Sequence, residues 1–195
     1  AFVRQMEWEA SQTVWLYRDA SESMNYKVKK DYAEILMLSL GMLLLGGGEQ
    51  VSLLGTDLAP QTGYPSIQRI YEMLVAQTHL SEGGRPVAAK SHAVLISDFY
   101  FPLEQLNSFC EQLAARHVKG MLVQVFDPSE RTLPYNGRVR FQDIENAAGD
   151  TLDIQQVEAV RAEYEQKFIA HQESLAAMAK GFGWVFEKFS TDIKP

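Results

Sequence analysis

Short apolar runs alternate along the chain with longer segments in which apolar residues recur every three or four positions. The short runs are rich in β-branched and aromatic residues, which is typical of strands. The longer segments have the period of a helix that buries one face. The pattern therefore predicts strands over 14–17, 51–54, 92–97, 118–126 and 184–189, and helices over 30–45, 65–80, 102–117 and 157–180.

The order of these elements predicts the fold class. Strands that alternate with helices pair in parallel through right-handed crossovers, and the helices then cover both faces of the sheet. The strand segments are almost entirely apolar, as burial on both faces requires. We therefore predict a three-layer, doubly wound α/β fold with a mostly parallel sheet, in a single domain over residues 1–195. Two further runs, 138–143 and 151–155, predict a β-hairpin insertion.

Composition narrows the class of protein. With 46% hydrophobic and 22% charged residues, a chain of 195 residues is typical of a globular domain that buries a sizeable core. The single cysteine, Cys110, excludes an internal disulfide framework and a cysteine-based zinc finger, and we expect it in the core. The formal charge of −7 argues against nucleic acid and against an anionic membrane surface as main partners.

The longest apolar run, 33–45, bears on membrane insertion and location. It is shorter than the roughly 20 residues that a membrane-spanning helix needs, so it predicts a buried helix. No signal peptide opens the chain, and we expect a cytoplasmic protein. The first residue is alanine instead of methionine, which fits excision from a longer chain.

Oxygen-bearing side chains follow two of the predicted strands. Asp19, Ser21 and Ser23 come after the first strand, and Asp98 comes after the run 92–97. In a doubly wound sheet the functional crevice lies at the carboxyl ends of the strands where the order reverses, so Asp19 and Asp98 are expected side by side. Carboxylates and hydroxyls suit Mg²⁺ or Mn²⁺, and such a site leaves a position open for an incoming carboxylate.

The spacing Asp19-x-Ser21-x-Ser23 resembles the D-x-S-x-S motif of von Willebrand factor A domains, which forms their metal-ion-dependent adhesion site. The resemblance implies two further ligands, a threonine from a later loop and an aspartate after the fourth strand of that fold. Asp98 matches the aspartate in position and context. Thr62, which precedes a predicted helix, is our choice for the threonine, and Thr56 is the alternative.

The chain more narrowly resembles a bacterial family designated domain of unknown function 58. The segments that carry this resemblance are 18–24 (RDASESM), 95–99 (LISDF), 125–130 (VFDPSE), 141–145 (FQDIE) and 190–192 (STD). The resemblance implies a von Willebrand factor A-like fold. It also implies an adaptor or assembly factor that works with a MoxR-type AAA+ ATPase, because members are often encoded beside such ATPases.

The residues at the predicted strand ends allow three hypotheses about function. The leading hypothesis is a non-enzymatic, metal-dependent protein-interaction module, in which a partner's Asp or Glu completes a magnesium site on Asp19, Ser21, Ser23, Thr62 and Asp98. The alternative is a magnesium-dependent phosphohydrolase with Asp19 as nucleophile, although Ser21 stands where such enzymes have a second aspartate. The third is a metal-free structural scaffold in which Arg18 balances the carboxylates.

Other acidic residues have simpler interpretations. Asp127 follows the run 118–126 and precedes Pro128, so it is expected to form a turn. Asp143 and Glu145 alternate in the predicted hairpin and can face the same side as a carboxylate pair. A solvated hairpin face is the expectation we favour for them.

Overall fold

The computed structural model describes residues 11–75, 84–142 and 151–194. The strands are β1 (Thr13–Arg18), β2 (Gln50–Leu53), β3 (His92–Ser97), β4 (Lys119–Phe126), β5 (Val139–Gln142), β6 (Thr151–Ile154) and β7 (Val185–Ser190). The α-helices are α1 (Lys29–Gly46), α2 (Pro65–Val75), α3 (Leu103–Ala114), α4 (Pro128–Thr132) and α5 (Val157–Gly181), and a 3-10 helix spans Glu22–Asn25.

Five strands form one parallel sheet in the order β2-β1-β3-β4-β7. The first strand therefore lies inside the sheet, with β2 on one side and β3 on the other. The order reverses at β1 and β3, whose carboxyl ends are in register with Arg18 opposite Ile96. The predicted α/β fold with a mostly parallel sheet is confirmed.

Alternation along the strands divides the core into two layers. In β1, Leu16 points to the face covered by α1 and α2, while Trp15 points to the face covered by α3 and α5. Both side chains are almost fully buried. This two-sided burial is the physical reason that the strand sequences are nearly all apolar.

The predicted helices differ from the observed ones mainly at their ends. The helix predicted over 102–117 ends at Ala114, because the chain turns at His117, where φ is +58°. The helix predicted over 65–80 is observed as Pro65–Val75, and 76–80 lie outside the described residues. Within the part of the chain that the structure describes, no helix has the length and apolarity to cross a membrane.

The predicted hairpin is observed as β5 and β6, paired antiparallel with Phe141 opposite Leu152. Its turn, with Asp143 and Glu145, lies outside the described residues. Cys110 is a core residue as expected, and burial raises the pKa of its thiol to about 12.

Candidate functional site

The candidate site lies at the carboxyl edge of the sheet, where β1 and β3 end. Asp19 directly follows β1, and its backbone N–H donates to the carbonyl oxygen of Ile96 at 2.9 Å. Asp98 directly follows β3. The parallel pairing of β1 with β3 thus brings the two aspartates, which are 79 positions apart in the sequence, to neighbouring strand ends.

The Asp19 carboxylate is buried, with 4% of the residue exposed. One of its oxygens accepts from the Ser21 backbone N–H at 2.8 Å, and the other accepts from the Ser97 hydroxyl at 2.6 Å. The hydroxyl oxygens of Ser21 and Ser23 are 3.1 Å apart. The D-x-S-x-S residues therefore lie together, because only three residues separate the end of β1 from the 3-10 helix.

The Asp98 carboxylate is fully buried and belongs to an ion-pair cluster. The Lys29 ammonium donates to one Asp98 oxygen at 2.7 Å and to Glu130 Oε1 at 2.6 Å. The other Asp98 oxygen accepts from the Tyr100 backbone N–H at 3.2 Å. We call Lys29, Asp98 and Glu130 the lysine triad.

Lys29 and Glu130 were not among the predicted site residues. Lys29 begins α1, and the buried residues of that helix include Ala33 and Met37, one and two helical turns further on. The same spacing places Lys29 on the buried face. The periodicity therefore carried a signal for a buried lysine, which the prediction of a helix from residue 30 overlooked.

Glu130 connects the lysine triad to the end of β4. It lies in α4, and its second carboxylate oxygen accepts from the Asp127 backbone N–H at 2.7 Å. Burial raises the pKa of Glu130, and the nearby Lys29 ammonium offsets part of that increase. A protonated Glu130 carboxyl is therefore easier to form than in a solvent-exposed glutamate.

Asp127 forms the expected turn as the cap of α4, directly before Pro128. Its carboxylate accepts from the Ser129 backbone N–H at 2.9 Å, from Lys27 at 2.7 Å and from the Thr191 hydroxyl at 3.2 Å. Burial acts to raise the pKa of Asp127. The hydrogen bonds from Lys27 and Ser129 outweigh it and lower the pKa to about 2.

Replacing Asp127 by asparagine is expected to lower the free energy of unfolding by about 2 kcal/mol at pH 7, since the charge-stabilised cap is lost. The native pKa lies below the ordinary value, so this stabilisation is present above about pH 4 and disappears as the pH falls through about 2. Urea unfolding between pH 7 and pH 2.5 measures it. The exposed control Asp57→Asn should change little, and a loss that does not vary with pH would contradict the electrostatic explanation.

The two candidate threonines lie at opposite ends of β2. After β2 the chain returns antiparallel to it, and Gln61 pairs with Val51 near the beginning of the strand. Thr62 is therefore exposed beside the amino end of β2, away from Asp19, so the structure does not bring it to the predicted site. Loop length was the only guide to this choice, and it does not reveal a reversal of direction.

Thr56 follows the carboxyl end of β2 and is buried. Its hydroxyl donates to the Leu53 carbonyl at 2.9 Å and accepts from the Leu58 backbone N–H at 3.2 Å. These two bonds hold the hydroxyl within its own turn. Of the two threonines, Thr56 thus lies at the correct edge.

Arg18 does not balance the carboxylates as the scaffold hypothesis expected. Its guanidinium donates to the backbone carbonyls of Asp19 and Leu74, and it lies 3.4 Å from a Glu34 carboxylate oxygen. The side chain therefore extends toward α1 and α2. Among the described residues, Lys29 is the buried cation that the fold inserts among the carboxylates of the edge, while the more exposed Lys27 pairs with Asp127.

The donor set decides whether a metal ion fits. In the described ranges, no three His, Cys, Asp or Glu side chains are grouped so that they could hold a metal. A cation would thus depend on one carboxylate with hydroxyl oxygens, and Asp19, Ser21 and Ser23 supply that hard-oxygen set. Among the described ion pairs Asp19 takes part in none, so its charge has no cationic partner there. These residues fit a Mg²⁺-type ion.

Comparison with models of protein families gives a match over most of the chain. The family model described as "Protein of unknown function DUF58" matches residues 1–174. No curated protein matches the chain.

Two solved structures share the fold. One is the conserved hypothetical protein BatB from Bacteroides thetaiotaomicron, 14% identical with a TM-score of 0.52, covering 92% of this chain and 91% of that one. The other is an aerotolerance-related membrane protein from Bacteroides fragilis NCTC 9343, 13% identical with a TM-score of 0.51, covering 93% and 92%. At such identities the likeness concerns the α/β fold alone.

Proposed function

We propose that this chain, which belongs to the DUF58 family of proteins of unknown function, is a non-enzymatic protein-interaction module that binds an acidic group of a partner through a divalent cation at its carboxyl sheet edge. The observation that carries the proposal is the charge balance of that edge. Three buried or nearly buried carboxylates, those of Asp19, Asp98 and Glu130, lie at or just beyond the ends of β1, β3 and β4, and only the Lys29 ammonium ion-pairs with any of them in the described structure. Asp127 lies at the same edge, and Lys27 balances its charge.

Excess buried negative charge favours a bound cation. Removing a carboxylate from water costs several kcal/mol unless a partner compensates it. Lys29 supplies one positive charge, which leaves a formal charge of −2 on the three carboxylates. A single divalent ion would bring the group to neutrality, and hydroxyl and carboxylate oxygens are its preferred ligands.

Asp19, Ser21 and Ser23 would hold the ion. A bound Mg²⁺ keeps several exchangeable water ligands, and so supplies an open position that attracts a carboxylate. The chain's own part is to hold the Asp19 carboxylate in place through the Ser97 hydroxyl, and to present the two serine oxygens 3.1 Å apart. An Asp or Glu of a partner protein fits the open position.

The partner follows from the resemblance alone. Members of the family are often encoded beside MoxR-type AAA+ ATPases, so we propose an adaptor or assembly factor that works with such an ATPase. The cytoplasmic location expected above stays a prediction, and one of the two proteins of similar structure is described as a membrane protein.

Isothermal titration of the chain with Mg²⁺ and Mn²⁺ tests the proposal. We expect the wild-type chain to bind one ion, and Asp19→Asn to lose the binding because the carboxylate becomes a neutral amide. Binding should also raise the unfolding free energy by about 2.7 kcal/mol at a hundredfold excess over the dissociation constant. The exposed control Asp57→Asn should bind as the wild type does.

Two results would contradict the proposal. Equal affinity in Asp19→Asn and wild type would place the ion elsewhere. Magnesium-dependent hydrolysis of an aryl phosphate that Asp19→Asn abolishes would favour the phosphohydrolase alternative instead.

A further inference from the structure

We infer that Lys29 is an internal cation that keeps Asp98 from binding a metal ion, so that the edge holds a divalent cation weakly until a partner's carboxylate completes the site. This inference rests on the proposed function and adds how the affinity of that site is set. It assigns Lys29 a positioning role, since the ammonium acts through Asp98.

The geometry of the lysine triad carries the inference. The side chains of Lys29 and Asp98 are both 0% exposed, and their charged atoms are 2.7 Å apart. The ammonium also lies 2.6 Å from Glu130 Oε1 and 5.3 Å from the centre of the Tyr100 ring. Carboxylates and an aromatic face, all favourable to a cation, therefore surround the ammonium.

Burial strengthens the electrostatic effect of this ammonium on neighbouring charges. An exposed lysine would be screened by water and salt, but charges in the interior act through a lower effective dielectric constant. Lys29 is the first residue of α1, and the buried face of that helix fixes the position from which the lysine side chain extends. A divalent ion at Asp19 would therefore meet a fixed positive charge bound to the aspartate of the next strand.

Two effects of Lys29 lower the affinity for a metal ion. The ammonium occupies one Asp98 oxygen, which removes a ligand that the motif would otherwise contribute. Its charge also repels the ion. A partner carboxylate supplies both a ligand and a negative charge, so the ion and the acidic partner are expected to bind together.

The experiment compares variants that differ only at Lys29. Methionine has nearly the length of lysine without its charge, but Lys29→Met alone leaves two buried carboxylates unpaired. We therefore use Glu130→Gln as the reference and compare it with the double variant Lys29→Met/Glu130→Gln. Mn²⁺ alone is the probe, titrated by calorimetry and by the electron paramagnetic resonance signal of the free ion, with folding checked by circular dichroism.

We expect the double variant to bind Mn²⁺ at least tenfold more tightly than Glu130→Gln, because Asp98 becomes free and the repulsion is removed. Lys29→Arg/Glu130→Gln keeps the charge and should bind within twofold of the reference. Lys30→Met/Glu130→Gln, at the adjacent and partly exposed lysine, should do the same. If the methionine variant does not fold, Lys29→Gln/Glu130→Gln replaces it; its amide can still donate to Asp98, so this variant tests the removal of the repulsion alone, and Mn²⁺ binding no tighter than in the reference would overturn that part of the inference.

The outcomes separate the inference from the proposed function. Equal or weaker Mn²⁺ binding in the folded double variant, with binding still lost in Asp19→Asn, would overturn the role of Lys29 and keep the metal site. If Mn²⁺ binding also increases tenfold in the Lys30 control, the increase is a general effect of removing a positive charge, and the inference about Lys29 is wrong. If neither wild type nor any variant binds Mn²⁺, both proposals fail.

Discussion

Replacing Lys29 by methionine is expected to lower the free energy of unfolding by about 3–5 kcal/mol. The substitution removes the cation of the lysine triad and leaves the buried Asp98 and the largely buried Glu130 carboxylates without a cationic partner. Breaking a buried ion pair by removing one partner has this cost because the remaining charge has lost its hydration. Urea unfolding followed by circular dichroism at pH 7 measures the change.

The adjacent lysine provides the control for this effect. Lys30 is partly exposed, and Lys30→Met should change the free energy of unfolding by about 0.5 kcal/mol or less. Adding Glu130→Gln to Lys29→Met should recover part of the lost unfolding free energy, because one of the two carboxylates without a cationic partner is removed. A Lys29→Met protein as stable as the wild type would show that water or rearranged side chains compensate the carboxylates.

Replacing Gly120 by alanine is expected to lower the free energy of unfolding by about 3 kcal/mol. A Cβ atom at this position of β4 would lie 2.2 Å from two atoms of the Trp184 ring, well inside van der Waals contact. The ring is buried, and its Nε1–H donates to the Val118 carbonyl at 3.1 Å. Since the indole cannot move without losing that bond and its packing, overpacking and a lost hydrogen bond act together.

Thermal and urea unfolding measure the loss of stability in Gly120→Ala, and Gly181→Ala is the matched control. Gly181 ends α5, and an added methyl group there would meet nothing within 4 Å. Alanine favours the helix, so the control should be unchanged or more stable by up to about 1 kcal/mol. A Gly120→Ala protein with wild-type stability would mean that Trp184 takes another rotamer at no cost.

Local periodicity was sufficient to predict the fold. The strands of the parallel sheet are short runs of mostly apolar residues, and apolar residues recur every three to four positions in the helices; both signals depend only on neighbours in the sequence. It predicted each strand of the parallel sheet and the hairpin to within a few residues. The rule that parallel strands share a carboxyl edge then indicated that Asp19 and Asp98 would be neighbours, which the pairing of β1 with β3 shows.

Interactions between distant residues could not be predicted in this way. Lys29 meets Asp98 and Glu130, which are 69 and 101 positions away, and no local pattern specifies which carboxylates a buried lysine will approach. The return of the chain beside β2 moved Thr62 away from Asp19, although its distance along the sequence suited the motif.

One physical cause explains why the sequence predicted the elements and not the contacts between distant side chains. The hydrophobic effect is non-directional and needs no particular partner atom, so the pattern of apolar positions, which is visible among neighbouring residues, decides which elements form and which faces they bury. Hydrogen bonds and ion pairs need particular atoms at about 3 Å, and only the packed elements set those distances. The alternation of residue types in this chain thus determined the sheet and the edge that carries the aspartates. The tertiary structure decided that a lysine lies among its carboxylates.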